Sequence, residues 1–74
     1  MNRDEVQPGL RVSIGVLGDS NGMAISQEHL RWRRQGAIGI VLRHVVGHGG
    51  DVWWVRQDDG QVAAYSFDEM EKPQ

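Results

Sequence analysis

Three of four side chains late in the chain have the types and spacing of a contact face: Trp54, Arg56 and Tyr65, with Trp53 beside them on the core side. Trp53 and Trp54 are adjacent, Arg56 follows, and Tyr65 lies beyond a turn at Asp58, Asp59 and Gly60. Trp, Tyr and Arg combine a large contact area with a directional polar group, which is why they dominate binding hot spots. A second cluster is the run Arg31, Trp32, Arg33 and Arg34. Arginines around an indole can hold a phosphate backbone and stack a base, or can hold an acidic peptide. Catalysis has less to draw on. His44 and His48 stand four residues apart with Asp51 nearby, a spacing that suits a metal on a helix, but here they flank a strand end and a glycine turn, and no third ligand is fixed. Asp58 and Asp59 read as turn chemistry. Asp68, Glu69 and Glu71 read as a solvated final turn. Gly47, His48, Gly49 and Gly50 lack the strand–loop–helix context of a phosphate loop. No catalytic residue, no metal and no cofactor are expected.

The 74 residues suffice for one domain. A domain of that size buries only about 60% of its unfolded surface, so its margin of stability is thin. No cysteine is present, so no disulfide or thiolate site supports it. The formal charge of −2 argues against a general nucleic-acid binder, which carries a basic footprint. No apolar run is long enough for a membrane span, and the start of the sequence lacks the apolar stretch of a signal peptide. A cytoplasmic protein is expected. Ten glycines point to many tight turns, which suits strands better than helices.

The elements that must position these residues follow from periodicity. Residues 1–8 are polar and end at a Pro8-Gly9 turn; a flexible start is expected. Leu10, Val12, Ile14 and Val16 alternate with Arg11, Ser13 and Gly15, the pattern of a half-buried strand. Residues 17–25 read as loop, and Ser26 is placed to cap a short helical turn carrying His29, Leu30 and Arg33. An excursion of that length in a compact domain is often a binding loop. In the second strand, Ile38, Ile40 and Leu42 share one face and Gly39, Val41 and Arg43 the other. Residues 47–51 are a turn, 52–57 the third strand and 62–67 the fourth, followed by one helical turn and a short last strand.

The Asp-Gly turn between strands three and four sets their register. A two-residue turn at Asp59-Gly60 is the preferred reading. It aligns Trp54 with Tyr65 and gathers Trp54, Arg56, Ala63 and Tyr65 on the wetter face, with Trp53, Val55, Val62 and Ala64 inside. A three-residue loop with a bulge shifts the pairing by one and brings Tyr65 onto the face of Trp53. Trp54 stays with Arg56 in both.

The series "GLRVSI", long loop, "GAIGIVL", "VWWVRQDDG", "VAAYSFDEME" resembles the SH3-like barrel over residues 9–72, with Tyr65, Phe67 and Met70 in its closing strand–turn–strand. "GLRV" and "VRQDDG" resemble modules of the Mind bomb/HERC type. Length and plan also resemble the plasmid-borne type II dihydrofolate reductases, trimethoprim-resistant tetramers built around one pore. Their pore strand carries a Val-Gln-Ile-Tyr run, where this chain has Val62, Ala63, Ala64 and Tyr65. The glutamine and isoleucine contact folate and nicotinamide in that family, so their replacement by alanine implies no reductase activity.

The expectation is an all-β domain over residues 9–72: a small five-stranded SH3-like barrel with a long first loop and a short helical turn before the last strand. Its expected role is non-catalytic binding of a protein or peptide through Trp54, Tyr65 and Arg56, with Trp32, Arg31, Arg33 and Arg34 alongside. A nucleic-acid accessory factor using the arginine-rich loop and a reductase-like tetramer are the alternatives. Self-association is left open, and no membrane partner is expected.

Overall fold

The computed structural model describes residues 1–20, 27–45 and 51–73. Five strands, β1 (Arg11–Ile14), β2 (Ile38–Val45), β3 (Val52–Gln57), β4 (Val62–Ser66) and β5 (Met70–Glu71), form one antiparallel sheet in the order β4-β3-β2-β1-β5. A short helix α1 (Gln27–Arg31) precedes β2, and a 3-10 turn (Phe67–Glu69) joins β4 to β5. The described residues are mostly β. Among the described residues no helix is long and apolar enough to cross a membrane. The expected Ser26 cap and the turn at 47–50, with His48, lie outside the described residues.

Alternation gives the strands their inner faces. Val12 and Ile14 of β1, Val41 of β2, Trp53 and Val55 of β3, Ala63 and Tyr65 of β4 and Met70 of β5 pack into one core. Val16 lies beyond the end of β1 and is 76% exposed. Residues 1–8, expected to be flexible, carry a 3-10 turn (Arg3–Glu5) capped by Asn2, and they bury Val6 against the same core.

β4 and β5 lie at opposite edges of the sheet, yet only three residues separate them. A flat five-stranded sheet would set its edges about 19 Å apart. A 3-10 turn rising about 2 Å per residue spans less than half of that. The sheet is therefore strongly curled. Two features of β2 allow it. A bulge at Leu42 shifts the β2–β3 register between Val41 and Arg43, and bulges increase local twist. Gly39 packs so close to β3 that a Cβ there would collide with the Arg56 carbonyl.

The hairpin takes the three-residue form. The Gly60 N–H donates to the Gln57 carbonyl at 2.8 Å, and the Gln57 N–H donates to the Gln61 carbonyl at 2.9 Å. Gly60 supplies the positive φ of 89° that the bulged loop demands. Trp53 consequently pairs with Tyr65 and Trp54 with Ala64. The preferred two-residue turn is thus corrected, and Tyr65 moves to the inner face. The bulge at Leu42 makes a second correction: Arg43 pairs with Trp54 and leaves the face of Gly39 and Val41.

Candidate binding face

The outer face of β2, β3 and β4 is built from two cross-strand rows. Arg43, Trp54 and Ala64 form one; Ile40, Arg56 and Val62 form the other. Arg43 and Arg56 are exposed, while Ile40, Trp54 and Val62 are half-buried. None of the three strands contains an acidic residue; Asp51, Asp58 and Asp59 sit at the turns that flank them, and Glu28 lies on α1 beside His29. The face is cationic and apolar within a chain of net charge −2.

Trp54 is covered from within the chain. The His29 ring lies 4.6 Å from it, centroid to centroid, and the Arg43 guanidinium carbon stands 4.5 Å from the indole centroid. Leu30 packs with Trp54, Val52 and Ala64 into a small second cluster. The segment after residue 26 thus shields one end of the outer face. It also occupies the free edge of β4. His29 Nδ1 meets the Val62 carbonyl at 3.0 Å, and Arg33 Nη1 donates to the Ala64 carbonyl at 2.7 Å. Free edges invite further strands, and here side chains take the exposed acceptors. The Trp54 Nε1 atom is buried without a hydrogen-bond partner.

The seven residues singled out from sequence separate. Trp54 and Arg56 share the outer face as expected from strand alternation. Tyr65 is fully buried. Its hydroxyl donates to Gln57 Oε1 and accepts from the Arg34 N–H at 2.8 Å, while Gln57 Nε2 donates to the Trp32 carbonyl at 3.1 Å. Burial, partly opposed by the Arg34 N–H and the nearby guanidinium charges, raises the phenol above its ordinary pKa. Tyr65 therefore staples the 32–34 segment to the sheet and is not part of the outer face.

Trp32 is half-buried against the main core, with the Arg31 guanidinium carbon 4.9 Å from its ring centroid. Arg34 is exposed and pairs with Asp59 at 3.1 Å. Arg33 is withdrawn from solvent: its side chain is 6% exposed and pairs with Glu69, itself 3% exposed, at 2.5 Å. Glu69 was expected in a solvated turn. Instead its carboxylate accepts from the Gly18 and Ser66 N–H groups at 2.6 and 2.9 Å. Burial alone would raise its pKa, but the Arg33 hydrogen bond, the two backbone donors and the Arg33 charge outweigh that and lower it. The signal was present in the sequence: Ser66-Phe67-Asp68-Glu69 is a capping-box pattern, which sends the glutamate back to the Ser66 N–H.

His44 turns inward beside Trp53, 4.7 Å between ring centroids, with its Nε2 3.6 Å from an Asp51 carboxylate oxygen that also pairs with Arg3. Among the described residues no three His, Cys, Asp or Glu side chains converge on a point where a metal could sit. Comparison with protein-family models, with curated proteins and with solved structures finds no significant match.

Proposed function

We propose that this chain is a small non-catalytic binding module, and that its curled sheet is an SH3-like barrel whose outer β2–β3–β4 face receives a protein or peptide. One observation carries the reading. Arg56 is exposed on a strand interior, between Ile40 and Val62, on strands that contain no carboxylate. Strand-borne cations beside half-buried aliphatic side chains suit a partner that supplies both acid and apolar surface. Arg43 joins Arg56, and Trp54 holds Arg43 in place. Tyr65 leaves the contact set.

The alternatives draw less support. A nucleic-acid grip by the arginine-rich loop would need several free cations and an open aromatic ring. Arg33 is buried on Glu69 and Arg34 is paired with Asp59, while Trp32 packs against the core with Arg31 over its ring. A reductase pore would need the β4 side chains to face a shared cavity. Ala63, Ala64 and Tyr65 are all fully buried within the chain.

The test is affinity capture from lysate of the source organism with wild-type protein and with Arg56→Glu. Arg56 is exposed, so the variant should fold, which its NMR spectrum checks. Proteins retained by wild type should be lost with the variant. An identical set retained by a folded Arg56→Glu would refute the assignment of this face.

A further inference from the structure

We infer that the outer face recognises an extended acidic segment, one with carboxylates two residues apart and aliphatic side chains beside them. The inference rests on the binding-module reading and adds the chemistry of the partner. Arg43 pairs with Trp54, and Arg56 pairs with Ile40. The two arginines are therefore diagonal neighbours on adjacent strands, and such positions lie about 7–8 Å apart. An extended chain repeats every two residues at about 6.8 Å. Carboxylates at alternate positions of one strand-like segment thus meet both guanidiniums.

Arginine suits this task, because its planar fork accepts a carboxylate in bidentate fashion. Arg56 has Ile40 and Val62 as its cross-strand neighbours, so an aliphatic side chain next to the acid finds apolar surface. The absence of Asp and Glu from β2, β3 and β4 leaves nothing on these strands to compete for the arginines. The same geometry favours a peptide over a nucleic acid. A single strand of nucleic acid needs an aromatic ring to stack on. Among the described residues, the indole on this face, Trp54, is half-buried under His29 and Arg43 and offers no open ring to a base.

The experiment uses the full chain and short fluorescent peptides in anisotropy titrations. One peptide alternates Glu and Ile; its counterparts replace Glu by Gln and by Lys, and a labelled oligothymidylate is the nucleic-acid probe. The Glu–Ile peptide should bind, and should weaken as salt is raised, since exposed charge pairs are screened. Arg43→Ala and Arg56→Ala should each weaken it about twofold to fivefold, the upper part of the range for an exposed ion pair. Arg56→Lys should recover part of the loss.

Equal binding of the Gln–Ile peptide would overturn the acidic preference while leaving a peptide-binding face in place. Tighter binding of the oligothymidylate at equal salt would assign the face to nucleic acid and overturn the inference. A concentration-dependent mass increase by light scattering, abolished by Arg56→Glu, would assign the face to a second copy and overturn it as well. Failure of every probe to bind, with capture from lysate still dependent on Arg56, would refute the acidic segment without refuting the module.

Discussion

At the scale of single residues, two adjacent tryptophans have different tasks. Trp53 is 3% exposed and meets Phe67 edge-on, 6.4 Å between ring centroids. Trp53→Ala should destabilise by about 3–5 kcal/mol because it leaves a cavity in the core. Trp54→Ala should be less damaging, since its ring is only half-buried. Urea melts of the two variants rank them, and a larger loss from Trp54→Ala would contradict the facing. This much was legible, because Val55 shares the face of Trp53 and Arg56 that of Trp54. The role of Tyr65 was not, because it depends on a hydrogen-bond network with the distant residues Gln57 and Arg34. Tyr65→Phe keeps the ring and removes the hydroxyl, stranding the Arg34 N–H and Gln57 Oε1. It should destabilise by about 1–3 kcal/mol, the range for an unsatisfied buried polar group. A neutral Tyr65→Phe in the same melts would show that the hydroxyl's bonds to Arg34 and Gln57 add nothing to stability.

At the scale of elements, alternation located the strands, and local chemistry at two points set what they present. Asp58-Asp59-Gly60 fits either hairpin type, and the sequence alone does not choose between them. The loop with Gly60 at φ 89° moves every β4 side chain by one pairing relative to the two-residue turn. The Leu42 bulge was equally hidden, and it puts Arg43 on the face where it joins Arg56. Period-two reading assumes an unbroken strand, so one extra residue inverts everything after it. Gly60→Ala tests the left-handed position that either hairpin type places at Gly60. The left-handed backbone penalises a Cβ by about 1–2 kcal/mol, although nothing lies within 4 Å of the site to clash with it. A melting curve showing that loss confirms the left-handed backbone at Gly60, and NMR contacts across β3 and β4 choose the hairpin: Trp53 opposite Tyr65 confirms the loop, whereas Trp54 opposite Tyr65 would point to the two-residue turn.

For the whole molecule, the question is what holds a curled sheet whose edges share no ladder. Arg33 and Glu69 stand in that gap. Arg33 donates to the Ala64 carbonyl at the β4 edge and to the Gly18 carbonyl after β1, while Glu69 accepts from Gly18 and Ser66. One ion pair therefore ties together the β4 edge, the β4–β5 turn and the start of the long loop. Charged residues in a polar stretch read as surface, so nothing in the arginine-rich run itself marked Arg33 as the buried member. Breaking a buried pair from one side costs about 3–5 kcal/mol, because the other charge is left unpaired. The lowered Glu69 pKa adds a pH signature with a definite sign. The contribution is complete above the ordinary glutamate value of 4.5 and is lost as pH falls through the lower folded value. Asp59 is also lowered, chiefly by its hydrogen bond from the Gln61 backbone, and it is exposed. Comparing Asp59→Asn with Glu69→Gln separates the two. Urea midpoints measured from neutral pH into the acid range should fall steeply below about pH 4.5 in wild type and in Asp59→Asn. Glu69→Gln should start far lower and lose most of that slope, since glutamine keeps the shape but does not titrate. If Glu69→Gln proves too unstable to measure, Arg33→Met read by hydrogen exchange at the β4 amides supplies the comparison, and undiminished protection there would show that the sheet holds its edges without the ion pair.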